Sequence, residues 1–338
     1  VLAVLAIGCS PVATTTPATI QPSATSIVPS APATSEPTTA VQAFPVTLTD
    51  DEGTQVTIPA EPQKIVSLTP ATTETLFAIG AGSRVVGKVQ DIANFPPEAA
   101  AIPEVATFSG VDVEKIIASG ADLVVSGGAG LTQGDAVNQL RAAHIPVVVS
   151  YPTSIAGALR GIKLIGQAVG LQGAADTLAD QMQGQISALT RIATTAPDQP
   201  RLFYEIDITG GIFTPPANSI YGEMFLLAGS QPIAGDANYS ISLENLVAAD
   251  PEVILLGDGA YGVTPDAVGK RAGWGGMTAV KNGRIVVVDD IVITRPGPRL
   301  AQGLMDLITA IHPELQQQIC TELREPCATA PATTVAPS

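Results

Sequence analysis

One αβ unit is written twice in this chain, and that repetition constrains the fold more than any other feature of the sequence. Residues 111–126, VDVEKIIASGADLVVS, return in recognisable form as residues 241–257, ISLENLVAADPEVILLG. Both read as an acid-led helix start, a short apolar helix, a tight turn and a buried strand. In the first, Asp112 or Val111 precedes Glu114, Ile116 and Ile117 supply the apolar face, Gly120 stops the helix, and residues 123–125 form the strand. In the second, Ser242 precedes Glu244, Leu246 and Val247 repeat the face, Pro251 follows the helix, and residues 253–256 form the strand. A unit used once in each half predicts two lobes of similar build, related by internal symmetry. Each lobe then carries one surface glutamate in a matching place.

The balance of residue types narrows the function classes. With a formal charge of −15 and only 14% charged residues, the chain lacks the clustered Lys and Arg that phosphate contacts need, which argues against nucleic acid. Its 46% hydrophobic content is ample for one large or two medium cores. Residues 1–9, VLAVLAIGC, read as the end of a secretory apolar segment running into Ala6, Ile7, Gly8 and Cys9. This resembles a bacterial lipobox, with Ala in place of the usual Leu three residues before the Cys. Lipidation of Cys9 is the functional reading and a buried helix with a stray Cys the bland one. Residues 10–43 are Thr, Pro, Ser and Ala with hardly an ionic or large apolar side chain, so they cannot offset their ordering entropy and are expected to be an extended tether. Residues 328–338 are a shorter piece of the same material.

Folded sequence begins near Phe44 with a hairpin pattern, in which Val46 and Leu48 face Val56 and Ile58 across an Asp51-Glu52-Gly53 turn. The expected segments are an N-terminal lobe over residues 44–170, a backbone helix within 171–196, a C-terminal lobe over 197–319 and a tail over 320–338. Within the backbone segment Leu178, Met182, Ile186 and Leu189 recur at helical spacing over residues 171–193. Such a helix is about 33 Å long. It is too polar to span a membrane, and as a rigid rod it leaves the lobes little hinge freedom.

From about Phe44 to Leu315 the chain resembles the substrate-binding proteins of iron-siderophore and cobalamin ABC importers, whose lobes are joined by one backbone helix. The matching stretches are IVSLTP at 65–70 followed by Thr73 and Glu74, FPPEA at 95–99, both glutamate-led units, KNGRI at 281–285 and TRPGPR at 294–299. The resemblance implies an α/β fold of two lobes with central sheets and a ligand cleft between them. It implies as partners a permease dimer with its ATPase subunits and a metal-containing small molecule, which is a corrinoid, a ferric siderophore or haem. It further implies a monomer held at the outer face of the cell membrane through lipid on Cys9, or a periplasmic one, with no cofactor of its own. Glu114 and Glu244 stand where such receptors place one exposed acid per lobe for permease arginines. Read alone, each is equally an acid in a first helical turn that complements the helix dipole.

The ligand site is expected between the lobes, on loops after the strand ends. Its candidates are Phe95, Gly127, Gly128, Tyr151, Phe213, Tyr239, Trp274 and Arg295. Aromatic faces supply contact area for a large flat ligand, and glycines let backbone approach closely. Each aromatic is otherwise a half-buried packing residue, and Arg295 either meets an anionic ligand group or braces a loop between prolines. Capture of a bare metal is poorly supported: His144 and His312 stand apart at element boundaries, and no His/Cys/Asp cluster has ligand spacing. With Cys9 assigned to lipid, Cys320 and Cys327 leave an even pair for a disulfide in an exported chain, or else two free thiols. No nucleophile elbow, Walker loop, HExxH or dinucleotide GxGxxG is present, so no catalytic residue is assigned. A ligand sensor or adhesin on the same fold is the rival reading. The stretches at 95–99 and 294–299 look more like the cobalamin-type members than the hydroxamate-siderophore receptors, which leans the ligand towards a corrinoid.

Overall fold

The computed structural model describes residues 43–131 and 133–323. Cys9, the Ser/Thr/Pro stretch up to residue 42, and Cys327 lie outside them. The described chain opens with the hairpin read from the sequence, β1 (Val46–Thr49) against β2 (Gln55–Ile58). Its period-2 pattern turns Leu48, Val56 and Ile58 inward. Asp50 makes the turn: its Oδ1 accepts from the N–H groups of Glu52 (3.1 Å) and Thr54 (2.8 Å), and Gly53 takes a φ of 77°.

A six-stranded sheet follows, in the order β6-β5-β4-β3-β7-β8. Its strands are β3 (Ile65–Ser67), β4 (Val85–Val89), β5 (Glu104–Thr107), β6 (Gly110–Val111), β7 (Leu123–Ser126) and β8 (Val147–Val149). All pairings are parallel except that of β6. Strands covered on both faces need unbroken apolar runs, which is why residues 123–125 and 147–149 are fully buried. The helices of this lobe are α1 (Pro70–Ala78), α2 (Val113–Ala118), α3 (Gly134–Ala142) and α4 (Ile155–Ala168).

The long helix α5 (Gln172–Ala193) then carries the chain into the second lobe. There β9 (Arg201–Glu205), β10 (Ile212–Phe213), α6 (Ile220–Leu227), β11 (Gln231–Pro232), β12 (Ser240–Ile241), α7 (Leu243–Ala249) and β13 (Val253–Leu256) are followed by α8 (Pro265–Gly269), α9 (Thr278–Lys281), β14 (Ile285–Val287), α10 (Asp290–Thr294), α11 (Leu300–Ile311) and α12 (Gln316–Leu323). The main sheet is parallel, in the order β11-β9-β13-β14, and β10 pairs β12 antiparallel beside it. Cys320, on α12, is disulfide-bonded; its partner lies outside the described residues. Among the described residues no helix is long and apolar enough to cross a membrane.

The two copies of the repeated unit are α2-β7 and α7-β13. They start alike: Asp112 caps α2 by accepting from Lys115 N–H at 2.9 Å, and Ser242 caps α7 by accepting from Asn245 N–H at 3.1 Å. One fully buried anchor, Ile116 or Leu246, pins each helix to the outer face of its sheet. They end differently. Gly120 turns the first at φ 71°, whereas Asp250 turns the second at φ 46° with its carboxylate held by Thr278.

The inner faces of the two sheets share one continuous core, from Leu48 in the hairpin to Ile319 in α12. Helix α5 runs through it, packed on α4 of the first lobe and on α11 and α12 of the second. Ala175, Ala179, Met182, Ile186, Leu189 and Ile192 form its buried stripe. The lobes are therefore fused along a common hydrophobic seam as well as by the chain itself.

Candidate functional site

In parallel sheets the carboxyl ends of the strands face one way, and ligands gather where two such edges meet. Here the edges of both lobes enclose a cavity of about 360 Å³. The first lobe contributes Thr69, Pro70, Thr72 and Thr75 from the start of α1, and Ser150 to Thr153 after β8. The second contributes Pro216 and Asn218 to Tyr221 from the start of α6, Tyr239 before β12, and Thr294 to Pro296 from the end of α10. Ala158, Gly161, Ile162 and Ile165 of α4 make an apolar floor. Two helix N-termini, one from each lobe, thus open into the same space. Thr69 caps the first by accepting from Thr72 N–H at 3.1 Å and Ser219 caps the second by accepting from Gly222 N–H at 3.2 Å, and Pro70 has no N–H, so the first-turn amides left without an intrahelical acceptor are those of Ala71, Ile220 and Tyr221.

The hairpin turn holds the first lobe's share of the wall. Asp51 Oδ2 accepts from Tyr151 N–H at 2.7 Å, and Glu52 Oε1 accepts from Ala129 N–H at 2.8 Å. Asp50 Oδ2 takes Arg141 Nη2 at 2.8 Å and Val149 N–H at 3.3 Å. Across the cleft Tyr239 sits in the left-handed region at φ 62°, with its N–H on Asp236 O and its C=O accepting from Thr214 N–H. Tyr221 donates its hydroxyl to Thr294 O at 3.1 Å. Burial raises the Tyr221 and Tyr239 phenols above their ordinary range, and neighbouring acidic groups push in the same direction: Tyr239, then Asp290 and Tyr151, for Tyr221, and Tyr151 for Tyr239.

A four-charge cluster bridges the lobes beside the cavity. Arg295 Nη1 donates to Glu74 Oε1 (2.9 Å) and Asp91 Oδ2 (3.0 Å), and its Nη2 donates to Asp91 Oδ1 (2.5 Å). Arg299 donates to both oxygens of Glu74, Nε to Oε2 at 2.9 Å and Nη2 to Oε1 at 2.7 Å, and stacks over Phe95 at 4.0 Å. Burial would raise the Asp91 carboxyl, but the Arg295 hydrogen bond, the Ala93 and Phe95 amides and the Arg295 charge together hold it below the ordinary carboxylate range. Burial would likewise lower Arg295, and its two carboxylates more than reverse that. Among the described residues, these are the ion pairs that join the first lobe directly to the second.

Of the eight residues expected to contact ligand, Tyr151, Tyr239 and Arg295 line the cavity and five do not. Trp274 is 3% exposed and packs edge-on against Phe203, with Arg271 over its ring at 4.6 Å. The flanking Gly273, Gly275 and Gly276 turn the chain tightly around this core residue. Phe95 supports Arg299. Phe213 pairs with Ser240 in the small β10-β12 ladder. Gly127 and Gly128 serve packing within the lobe: a Cβ at Gly127 would strike Leu131, and one at Gly128, φ 62°, would strike Glu52 and Val149. Of the two readings offered for Arg295, bracing describes its bonded geometry, since both its Nη atoms are engaged by carboxylates.

The sequence reading missed Tyr221, Ser219, Asn218 and the hydroxyls of α1. The usable signal was the capping chemistry, Thr69-Pro70 and Ser219 immediately before helices whose lobes were expected to face each other. Glu114 and Glu244 are exposed and occupy the same place, second residue of α2 and of α7. His144 is exposed, while His312 is buried with Nε2 3.0 Å from Gly229 O. Among the described residues no group of three or more His, Cys, Asp or Glu is placed to hold a metal.

Comparison with known proteins gives a family match: the model described as periplasmic binding protein covers residues 65–292. A Bacillus subtilis protein named an uncharacterized ABC transporter substrate-binding lipoprotein, YvrC, is 33% identical over 279 residues, 81% of this chain and 87% of its own length. A cobalamin-binding protein of Halobacterium salinarum is 29% identical over 289 residues, 80% of this chain and 74% of its own. Among solved structures, the apo form of the periplasmic heme-binding protein RhuT from Roseiflexus sp. RS-1 superposes with a TM-score of 0.65 at 28% identity, covering 75% of this chain and 99% of that one.

Proposed function

This chain belongs to the periplasmic binding protein family, and we propose that its interlobe cavity takes up a corrinoid for delivery to an ABC permease. The observation that carries the choice of ligand is the wall chemistry. Three phenols, several aliphatic hydroxyls and one carboxamide surround an apolar floor, and the one lining cation, Arg295, is already bonded to two carboxylates. A corrinoid presents a flat apolar ring fringed by neutral carboxamides, which ask for this mixture of aromatic contact and neutral hydrogen bonding. Haem brings two carboxylates that would find no free cation on the wall. Its iron would also want an ionised phenol or a neutral imidazole. No His lines the cavity, and burial raises the Tyr221 and Tyr239 phenols, which opposes their ionisation.

The similarity to a lipoprotein of an ABC transporter and the lipobox-like residues before Cys9 support a chain anchored by lipid outside the membrane, with residues 10–43 as its tether. Glu114 and Glu244, rigidly placed at equivalent helix starts, suit charge-assisted pairing with arginines on the two subunits of a symmetric permease. The test of ligand class is a thermal-shift panel on the full chain with cyanocobalamin, cobinamide, haemin and a ferric hydroxamate. The corrinoids should raise Tm in proportion to the logarithm of their concentration and the iron complexes should not. A shift with haemin or the ferric hydroxamate alone would overturn the assignment.

A further inference from the structure

The wall of the cavity is neutral only because its guanidinium is cancelled from outside. Asp91 does not line the cavity and is 6% exposed, yet both its oxygens bond Arg295, at 3.0 and 2.5 Å. That fork-on-fork geometry is the strongest form of such a pair. The carboxylate cannot swing away, because the same two oxygens accept from Ala93 N–H at 2.9 Å and Phe95 N–H at 3.3 Å. Glu74 closes the other side of Arg295 and shares itself with Arg299. Two carboxylates therefore face two guanidiniums. Remove one carboxylate and the count becomes two cations to one anion, at the wall of a cavity into which two helix N-termini already open. Helix starts favour negative charge on their own account.

We propose that Asp91 sets the charge class of the ligand: by neutralising Arg295 from behind the wall, it makes the site select a neutral, carboxamide-fringed ligand over one that carries carboxylates. The inference rests on reading the interlobe cavity as the ligand site. It requires no contact between Asp91 and the ligand, so the residue would escape any search for lining side chains. Asp91→Asn is the discriminating change. The amide keeps the shape and one acceptor for the loop at 91–95, but its nitrogen meets Arg295 donor to donor, so the paired bond is lost and the guanidinium, held by Glu74 alone, carries charge that is no longer fully cancelled at the wall.

The experiment titrates cyanocobalamin, a neutral probe, and haemin, a flat dicarboxylate, into the full wild-type chain and into D91N, following tyrosine and tryptophan quenching. Wild type should bind haemin at least tenfold more weakly than cyanocobalamin. D91N should bind haemin at least tenfold more tightly than wild type does, with cyanocobalamin changed less than threefold. Glu74→Gln, which removes the other cancelling carboxylate from the same cluster, is the second variant should D91N lose its circular dichroism spectrum, and it should shift haemin in the same direction. Haemin binding unchanged in the folded variants, or wild type already preferring haemin, overturns the inference. If wild type ignores cyanocobalamin while D91N gains haemin, the corrinoid assignment fails and the role of Asp91 stands. If wild type ignores cyanocobalamin and the folded variants gain no affinity for haemin, both fail.

Discussion

Truncating Met182 tests whether the two lobes are one folding unit. Its side chain is 1% exposed on the buried stripe of α5, inside the core that runs from Leu48 to Ile319. Met182→Ala removes three heavy atoms of contact and leaves a cavity among neighbours from both lobes. Changes of this kind cost about 2–5 kcal/mol, and we take about 3. With about 2.1 cal/mol/K of unfolding entropy per residue over roughly 280 folded residues, 3 kcal/mol lowers Tm by about 5 °C. The assay is thermal or urea unfolding followed by two probes. Trp274, the only tryptophan, reports the outer core of the second lobe. Far-ultraviolet circular dichroism reports both lobes. A shared core requires the two curves to coincide in wild type and to shift together in M182A. Separate transitions, or a shift in the dichroism curve that leaves the tryptophan curve in place, would refute the shared seam.

Replacing Glu114 and Glu244 together with Ala should abolish uptake while ligand affinity stays within about twofold, because both carboxylates are exposed at helix starts and neither lines the cavity; normal uptake, or lost ligand binding, would count against docking. Fluorophores at Phe108→Cys and Tyr261→Cys, exposed positions on the two lobes, should change separation by less than about 2 Å on ligand addition, and a change nearer 10 Å would place a hinge in α5. The Asp258 carboxyl is pushed up to about 7 by burial and by the charge of Glu205, and one of its oxygens is buried without a hydrogen-bond partner. A raised carboxyl binds more protons in the native state than in the unfolded one, so it lowers stability as pH climbs from about 4 to about 7. Asp258→Asn should flatten that decline in denaturant midpoints, and an identical pH profile in both proteins would contradict the assignment.

Much of the scaffold was legible because its signals are local and periodic. The two copies of the αβ unit, the hairpin at 46–58 and the stripe of α5 are patterns that secondary structure imposes within a few residues. The site was legible only in part, and the failures share a cause. Trp274 stands among glycines, a context that looks like an open loop until the packing of Phe203 and Arg271 around it is known. Gly128 announces a close approach without saying that the approaching group is Glu52 of the same lobe. The partners of Arg295 lie 221 and 204 residues away in sequence, a long-range pairing that no local pattern encodes. Tyr151 was recoverable because it follows β8, whose carboxyl end the fold turns towards the cleft, and Tyr239 because it lies just before the second copy of the repeated unit.

The most direct test of the account is isothermal titration of cyanocobalamin into the full chain and into a Tyr151→Ala, Tyr239→Ala variant. These two tyrosines face the cavity from opposite lobes and are 40% and 39% exposed, so they can be removed with little loss of core. Loss of two aromatic contacts is worth at least about 1.4 kcal/mol, a tenfold change in Kd. The account predicts one site per chain and binding at least tenfold weaker in the variant, with Tm unchanged within about 2 °C. Absence of binding to the wild-type chain, or equal affinity in a folded variant, would contradict the claim that the interlobe cavity holds a corrinoid.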